Sequence, residues 1–458
     1  MTEPTPKPVP TQGRDSELLE GITAEVAPLP AKTTALQKHD PYAAFRVPAY
    51  RLYCTSFVLA IIGSQTLSAA ANFDVYQKTK SSLMVGMIGL ANAIPLLALA
   101  MPAGHVADTF SRKRVLLFTQ VFLVACPLAL SFWHTLPAIF ALLVVNAVAL
   151  TFGRPSRASI LPNLVPKSIF ANAVTWNSSM FELAASISPA CTGFIIAGLG
   201  VRWAYLVSGI AMAGCMILTF FLPDIRAAGA RQPMTWKNFA AGVTFVSGNS
   251  LLLGPMLLDL LAVLLSGATA LLPAFAERMS DSPKEQALIY GWLMAAPSIG
   301  AVMMAIIQAH RPPPKRAGRT MLVAVAFYGV ATIIFGLSHY FWLSFFMLAI
   351  TGVCDNLSVV IRHTLVQLAT PDNMRGRVSA VNQIFIISSN ELGKVESGVT
   401  AHFMGPVKSV VAGGIGTILV VFAIARTFPR LRNLGELHGV KPIEPPEAQR
   451  EATAVTSV

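Results

Sequence analysis

Between residues 52 and 428 the chain alternates long apolar runs with short polar breaks, and twelve such runs can be marked: 52–75, 83–106, 115–134, 137–160, 172–197, 202–222, 251–273, 286–308, 319–338, 340–362, 377–402 and 406–428. A helix of about 20 apolar residues, rising roughly 1.5 Å per residue, covers a hydrocarbon core of roughly 30 Å. Lipid satisfies no backbone N–H or C=O group, so each run must close its own hydrogen bonds as a helix. The pattern predicts an all-α membrane protein of twelve transmembrane helices in two pseudo-symmetric six-helix bundles.

The longest interior polar interval, 223–250, contains PDIRAAGARQPMTWKNF and reads as a cytoplasmic linker between bundles at 51–222 and 251–428. Residues 1–50 are rich in Pro and mixed charge and lack an apolar core, so they read as a disordered cytoplasmic tail and not as a signal peptide. Residues 429–458 form a second cytoplasmic tail. Internal repetition agrees with the halving: Arg157, Pro166 and Asn177 recur as Arg362, Pro371 and Asn382, each displaced by 205 residues. Pro95, Lys113 and Arg114 recur as Pro297, Lys315 and Arg316 at 202, while Asp108 becomes His310.

An even number of spans puts both tails on one side. Sixteen Lys and Arg residues then fall in the loops and helix ends on the tail side, Arg112, Lys113, Arg114, Arg157 and Arg362 among them. Only six lie opposite: Lys78, Lys80, Arg202, Arg278, Lys284 and Lys408. Cations collect in the cytoplasm, so the tails are expected inside and the location is a bacterial inner (cell) membrane. The same bias accounts for the net charge of +12. No aromatic-interleaved basic patch or zinc-finger spacing points to nucleic acid.

Composition agrees, with 54% apolar and 12% charged residues and a mean hydropathy of +0.60. The five cysteines, Cys54, Cys126, Cys191, Cys215 and Cys354, lie singly in apolar runs, which implies neither disulfides nor a zinc site. There is no GxxxxGK[ST] loop, HExxH or nucleophile–base constellation. The chain is therefore not expected to be an enzyme or to need a cofactor, and an ion gradient must drive any uphill transport.

GHVADTFSRKRVLL (104–117), after the second run, fits G-x3-D-x3-R-K-R. Gly104 would permit close backbone approach, Asp108 and Arg112 have the i,i+4 spacing of a local ion pair, and Arg112, Lys113 and Arg114 fix topology. Asp108 could also face a helix N-terminus in one conformation only, which would make it a latch.

These residues resemble the loop motif of the major facilitator superfamily, and the resemblance runs from about 50 to 435. LLDLLAVLLSGATALLPAFAERM (257–279), RHTLVQLATPDNMRGRVSAVN (362–382) and SSNELGKVESG (388–398) are similar to its transmembrane secretion effector branch, which includes the enterobactin exporter. The resemblance implies proton-coupled export of siderophores or drugs and places Gly104, Asp108 and Arg112 in a cytoplasmic gating motif. SPACTG (188–193) stands where the superfamily has a Gly- and Pro-rich motif, and Lys394 where an acid is expected.

Charges inside spans are costly and face a partner or a cavity. They are Glu182, Asp259, Asp355, Glu391, Lys394 and Glu396. Asp259 has apolar neighbours on every side, which favours its neutral form, so it either loads and releases a proton or only joins helices. Glu391 and Lys394 have the i,i+3 spacing of a local pair, whereas Glu396 points away. Glu182 follows Trp176 and Asn177 and could meet substrate, unless those two sit at the cytoplasmic mouth. Asp355, two turns before Arg362, reads as part of a helix-packing ion network, and Arg157 and Arg362 read as gate residues. Pro95, Pro127, Pro189, Pro255 and Pro297 would bend helices around a cavity.

The resulting expectation is a monomeric carrier in the bilayer that exports an amphipathic small molecule in exchange for protons by alternating access. Asp259 would titrate together with Glu182 or Glu391. An importer of the same fold and a non-transporting scaffold or sensor are the alternatives.

Overall fold

The computed structural model describes residues 40, 42–224, 236–371, 374–440 and 442–443. The chain divides into two units, Met1–Tyr42 and Ala43–Val458. In the first, Asp40 and Tyr42 are described, the Tyr42 amide donating to Asp40 Oδ1 at 3.0 Å. All that follows concerns the second.

Its long helices are α1 (Pro48–Thr79), α2 (Ser82–Thr109), α3 (Arg112–Phe132), α4 (Leu136–Ala158), α5 (Phe170–Leu199) and α6 (Val201–Phe220) in the first half. The second half holds α7, in two pieces (Ser250–Leu265 and Leu272–Met279), α8 (Pro283–His310), α9 (Ala317–Leu337), α10 (Phe341–Ala369), α11 (Arg375–Met404) and α12 (Pro406–Thr427). Counting α7 as one span, eleven of them are long and apolar enough to cross a bilayer. The exception, α11, carries Glu391, Lys394 and Glu396 and packs its polar face against the other half and the cavity. Large apolar side chains such as Phe118, Phe220, Trp342 and Phe403 point outward, which suits a lipid environment.

Four boundaries differ from the sequence reading. Helix begins at Ala43, inside the tail assigned to 1–50, because Phe45 packs edge-on to Tyr50 and Trp176 and Tyr50 donates to Ala173 O at 2.9 Å. Residues 1–39 and 41 lie outside the described residues, as do 225–235 of the linker. The rest of that linker forms a helix, Trp236–Ser247, which packs on α11 and buries Phe245 and Val246. Beyond α12 the chain folds back as Pro429–Arg432, buries Leu431 and bonds the start of α9 through Ala317 N to Gly435 O at 3.1 Å. The stretch 444–458 is outside the described residues.

The seventh run, expected as one helix over 251–273, breaks at Ser266–Gly267 and resumes to Met279. Pro273 favours a helix start there, and Gly267 lets the break approach α11, since a Cβ there would collide with Gly393 O. Ser266 Oγ, 2.5 Å from Thr417 Oγ1, supplies a polar partner at the break.

The pseudo-symmetry is more extensive than the sequence matches. Gly200 and Gly405, also 205 residues apart, have φ of 95° and 85° and join α5 to α6 and α11 to α12. That left-handed region favours glycine. The halves touch mainly along α2 with α11 and α5 with α8. In the first seam a Cβ on Gly86 would lie 2.9 Å from Gly398 Cα, and in the second a Cβ on Gly193 would lie 2.8 Å from Gly291 Cα. The four glycines form two pairs displaced by 205, Gly86 with Gly291 and Gly193 with Gly398. Both contacts lie toward the end that carries the α1–α2 connection.

Gly193→Leu and Gly398→Leu are each expected to prise this end apart. In a cysteine-free background, the yield of disulfide between Gln77→Cys and Gln286→Cys should drop severalfold with either change. An unchanged yield would show that the seams tolerate side chains.

Candidate functional site

Between the halves lies a polar cavity of about 160 Å³ with walls from α1, α2, α4 and α11. Glu391 is its one acidic lining residue, and Arg154 and Lys394 are its cations. Glu391 Oε1 accepts from Lys394 Nζ at 2.9 Å, the i,i+3 pair expected from spacing, and Oε2 accepts from Asn92 Nδ2 at 3.3 Å across the seam. Gly89 permits this approach, since a Cβ there would lie 2.5 Å from Glu391 O. Glu396, one turn on, pairs with no cation among the described residues and accepts only from Ser397 Oγ at 3.4 Å.

Above the cavity a polar network ties the halves together. Tyr76 Oη donates to Glu277 Oε2 at 2.6 Å, Lys80 Nζ to Glu277 Oε1 at 2.6 Å, and Gln77 Nε2 to Gln286 Oε1 at 2.7 Å. Tyr290 Oη reaches Ala69 O at 3.1 Å. Lys80 closes α1 in a left-handed conformation, φ 51°, rare for a residue with a Cβ. The turn it makes aims its ammonium at Glu277. Behind it, buried Asp74 accepts from Lys78 at 2.7 Å and from Tyr205 at 3.2 Å.

Asp259 is not an isolated acid. Its Oδ2 forms an ion pair with Arg362 Nη1, joining α7 to α10, and the two side chains are only 10% and 3% exposed. The helix-packing ion network expected around Asp355 therefore does not include Arg362, whose partner is Asp259. Asp355 is exposed and lines a small cavity with Tyr328 and Cys354. It has no ion-pair or hydrogen-bond partner among the described residues. Glu182 is half-buried, and its carboxylate likewise has none. Trp176 lies under Phe45 at the tail end, away from the cavity.

The GHVADTFSRKRVLL segment is organised within its own half. Gly104 makes no close approach, because nothing lies within 4 Å of a Cβ there. Asp108 and Arg112 are not on one helix: α2 ends at Thr109 and α3 begins at Arg112, so the i,i+4 argument does not apply. The Asp108 side chain lies outside the described residues. Arg112 Nη1 donates to Ser159 O at 3.0 Å, and Lys113 Nζ to Leu222 O with its charge 5.5 Å above the Phe220 ring. Each cation therefore serves carbonyls at the C-terminal end of a helix, α4 or α6, where the helix dipole favours positive charge. Arg114 is exposed beside an apolar lipid-side groove. Arg157 Nη2 donates to Cys215 Sγ at 3.3 Å, so it and Arg362 each bind inside one half and neither bridges the halves in this state.

Sequence reasoning missed Arg154, Asn92 and the Tyr76–Lys80–Glu277 network. Arg154 is one of the sixteen tail-side cations, and nothing in its local sequence marks it as a cavity residue. Glu277 stood in a quoted segment, but nothing local marks it as the partner of a tyrosine 201 residues away. Among the described residues no group of three or more His, Cys, Asp or Glu is placed to hold a metal ion.

Comparison with known proteins agrees with this architecture. Residues 39–453 match the family described as transmembrane secretion effector. Enterobactin exporter EntS of Shigella boydii serotype 4 (strain Sb227) is 26% identical over 393 residues, covering 84% of this chain and 93% of the relative. EntS of Escherichia coli (strain K12 / MC4100 / BW2952) is 26% identical over 394 residues, with the same coverage. The fold is shared with the nucleoside transporter NupG, with a TM-score of 0.67 at 12% identity over 83% of this chain and 99% of that one. A bacterial homologue of the lysosomal transporter Spinster, inward-facing and unoccupied, gives 0.64 at 15% identity over 85% and 99%. With twelve spans in two related halves and a family match over most of its length, the chain belongs to the transmembrane secretion effector family of major facilitator transporters.

Proposed function

We propose that the protein is a monomeric inner-membrane exporter of an amphipathic small molecule of the siderophore or drug class, driven by protons, with both tails in the cytoplasm. The observation that carries this reading is the one-ended closure. The glycine contacts and the Tyr76–Lys80–Glu277 and Gln77–Gln286 ties all sit toward the α1–α2 end, with a polar cavity beneath them. With the tails inside, this is the inward-open member of an alternating pair, and the network is the outer gate. The names of the EntS relatives support export and a siderophore-like cargo.

The coupling group is Asp259. In the inward-open state it is paired with Arg362, an arrangement that suits a carrier ready to load after delivering its proton to the cytoplasm. Opening outward exposes the pair to a proton, which adds to the Asp259 carboxylate and releases Arg362. The same broken span α7 carries Glu277 at its far end, so a change at the pair reaches the outer gate through one helix.

Efflux from a deletion strain and from proteoliposomes, with siderophores and lipophilic cations as cargo, is expected to be abolished by an uncoupler. Asp259→Asn should abolish uphill efflux. It should also lower stability by roughly 3–5 kcal/mol, because Arg362 is left buried and unpaired. The double change Asp259→Asn with Arg362→Gln should recover much of that stability while still exchanging cargo only downhill. Uptake in place of efflux would make the protein an importer, and uphill efflux by the double variant would remove Asp259 from coupling.

At the outer gate, Glu277→Gln should weaken the ties from Tyr76 and Lys80. Labelling of a cysteine at Ser68 by an impermeant thiol reagent from outside is expected to speed up severalfold. An unchanged rate would reduce the network to surface hydrogen bonding.

A further inference from the structure

The cavity charges have a feature that a symmetric scaffold does not require. Arg157 and Arg362 repeat between the halves, but Arg154, Glu391 and Lys394 do not: at a displacement of 205 their counterparts are Val359, Ser186 and Pro189. All three nonetheless line one cavity. Arg154 is exposed to it, and its guanidinium has no hydrogen-bond or ion-pair partner among the described residues. A guanidinium inside a membrane span that faces a cavity, with no protein group taking its N–H donors, is placed to meet a ligand. A second group points the same way: Asn146, on the same wall and 6% exposed, has an Oδ1 with no hydrogen-bond partner.

Resting on the transporter reading above, we propose that Arg154 and Lys394 form the subsite for an acidic oxygen group of the cargo, a carboxylate or phenolate, and that Glu391 fills it in the empty carrier. Arg154 offers a planar donor fork that suits such oxygens, and Lys394 a second charge. Glu391 holds Lys394 at 2.9 Å until a ligand anion replaces it. Two cations against one carboxylate leave the lining one charge positive, which an incoming monoanion neutralises. Asn146 lies eight residues before Arg154 on α4, about 12 Å along the helix axis. Its free acceptor suits a hydroxyl at the far end of the ligand. Arg154 also lines the adjoining cavity that contains Arg157, so an anion entering from the tail end meets one cation after another.

The test compares two probes of one skeleton, salicylate and its neutral amide salicylamide, titrated calorimetrically into the purified full-length protein. Salicylate is expected to bind at least tenfold more tightly than salicylamide. Arg154→Gln should remove that preference without altering salicylamide binding, and Arg154→Lys should retain part of it. Glu391→Gln should tighten salicylate binding severalfold, a gain that damage to the fold does not produce. Equal binding of the two probes by the wild type, or weaker salicylate binding by Glu391→Gln, would overturn the subsite. Uncoupler-sensitive efflux of a neutral cargo by the unaltered protein would leave the transporter reading standing whichever way the binding falls, so the two claims fail separately.

Discussion

The constraint on which the rest depends is the backbone contact between the halves at Gly86 with Gly398 and Gly193 with Gly291. Helices within lipid gain nothing from the hydrophobic effect by associating, so close packing and buried hydrogen bonds must hold them. Small residues permit both. Where the backbones meet, Asn92 reaches Glu391, and beyond them Tyr76 and Lys80 reach Glu277. The polar ties are short because the glycines leave no side chain to keep the helices apart.

The internal charges divide by what they hold together. Arg112 and Lys113 hold the ends of α4 and α6 to the start of α3, and Asp259 with Arg362 holds α7 to α10, each within one half. Glu391 and Lys394 stand on the wall between halves, and Glu277 crosses between them at the α1–α2 end. Charges confined to a half do not depend on how the halves meet, whereas those at the seam do. The broken span α7 is unusual in serving both classes, with Asp259 on its first piece and Glu277 on its second.

The two halves share a backbone plan more closely than a side-chain plan. Gly200 and Gly405 turn the chain in the same way, and the two seams exchange glycines under the repeat, yet the position of Asp259 corresponds to Cys54 at the same displacement. Arg157 accordingly lies against Cys215, while Arg362 has a carboxylate. Backbone geometry is constrained in both halves by the need to meet across the seam. Buried charge is not, and it differs where chemistry and not closure is at stake.

The sequence by itself determined the helical class, the twelve spans, the division into halves and the local Glu391–Lys394 pair. Each follows from an interaction of short range, namely apolar length against bilayer thickness, the backbone's need for hydrogen bonds in lipid, or i,i+3 spacing. Tertiary structure alone decided which partner Asp259 takes, that Gly104 makes no close approach, that Arg112 and Lys113 serve neighbouring helix ends, and that Arg154 faces a cavity. Those outcomes depend on residues about 50 to 300 positions apart meeting in space, and in a helix bundle that is set by rotation about each axis. Apolar run length leaves that rotation open, and it is fixed only when backbones such as those at Gly193 and Gly291 come into contact.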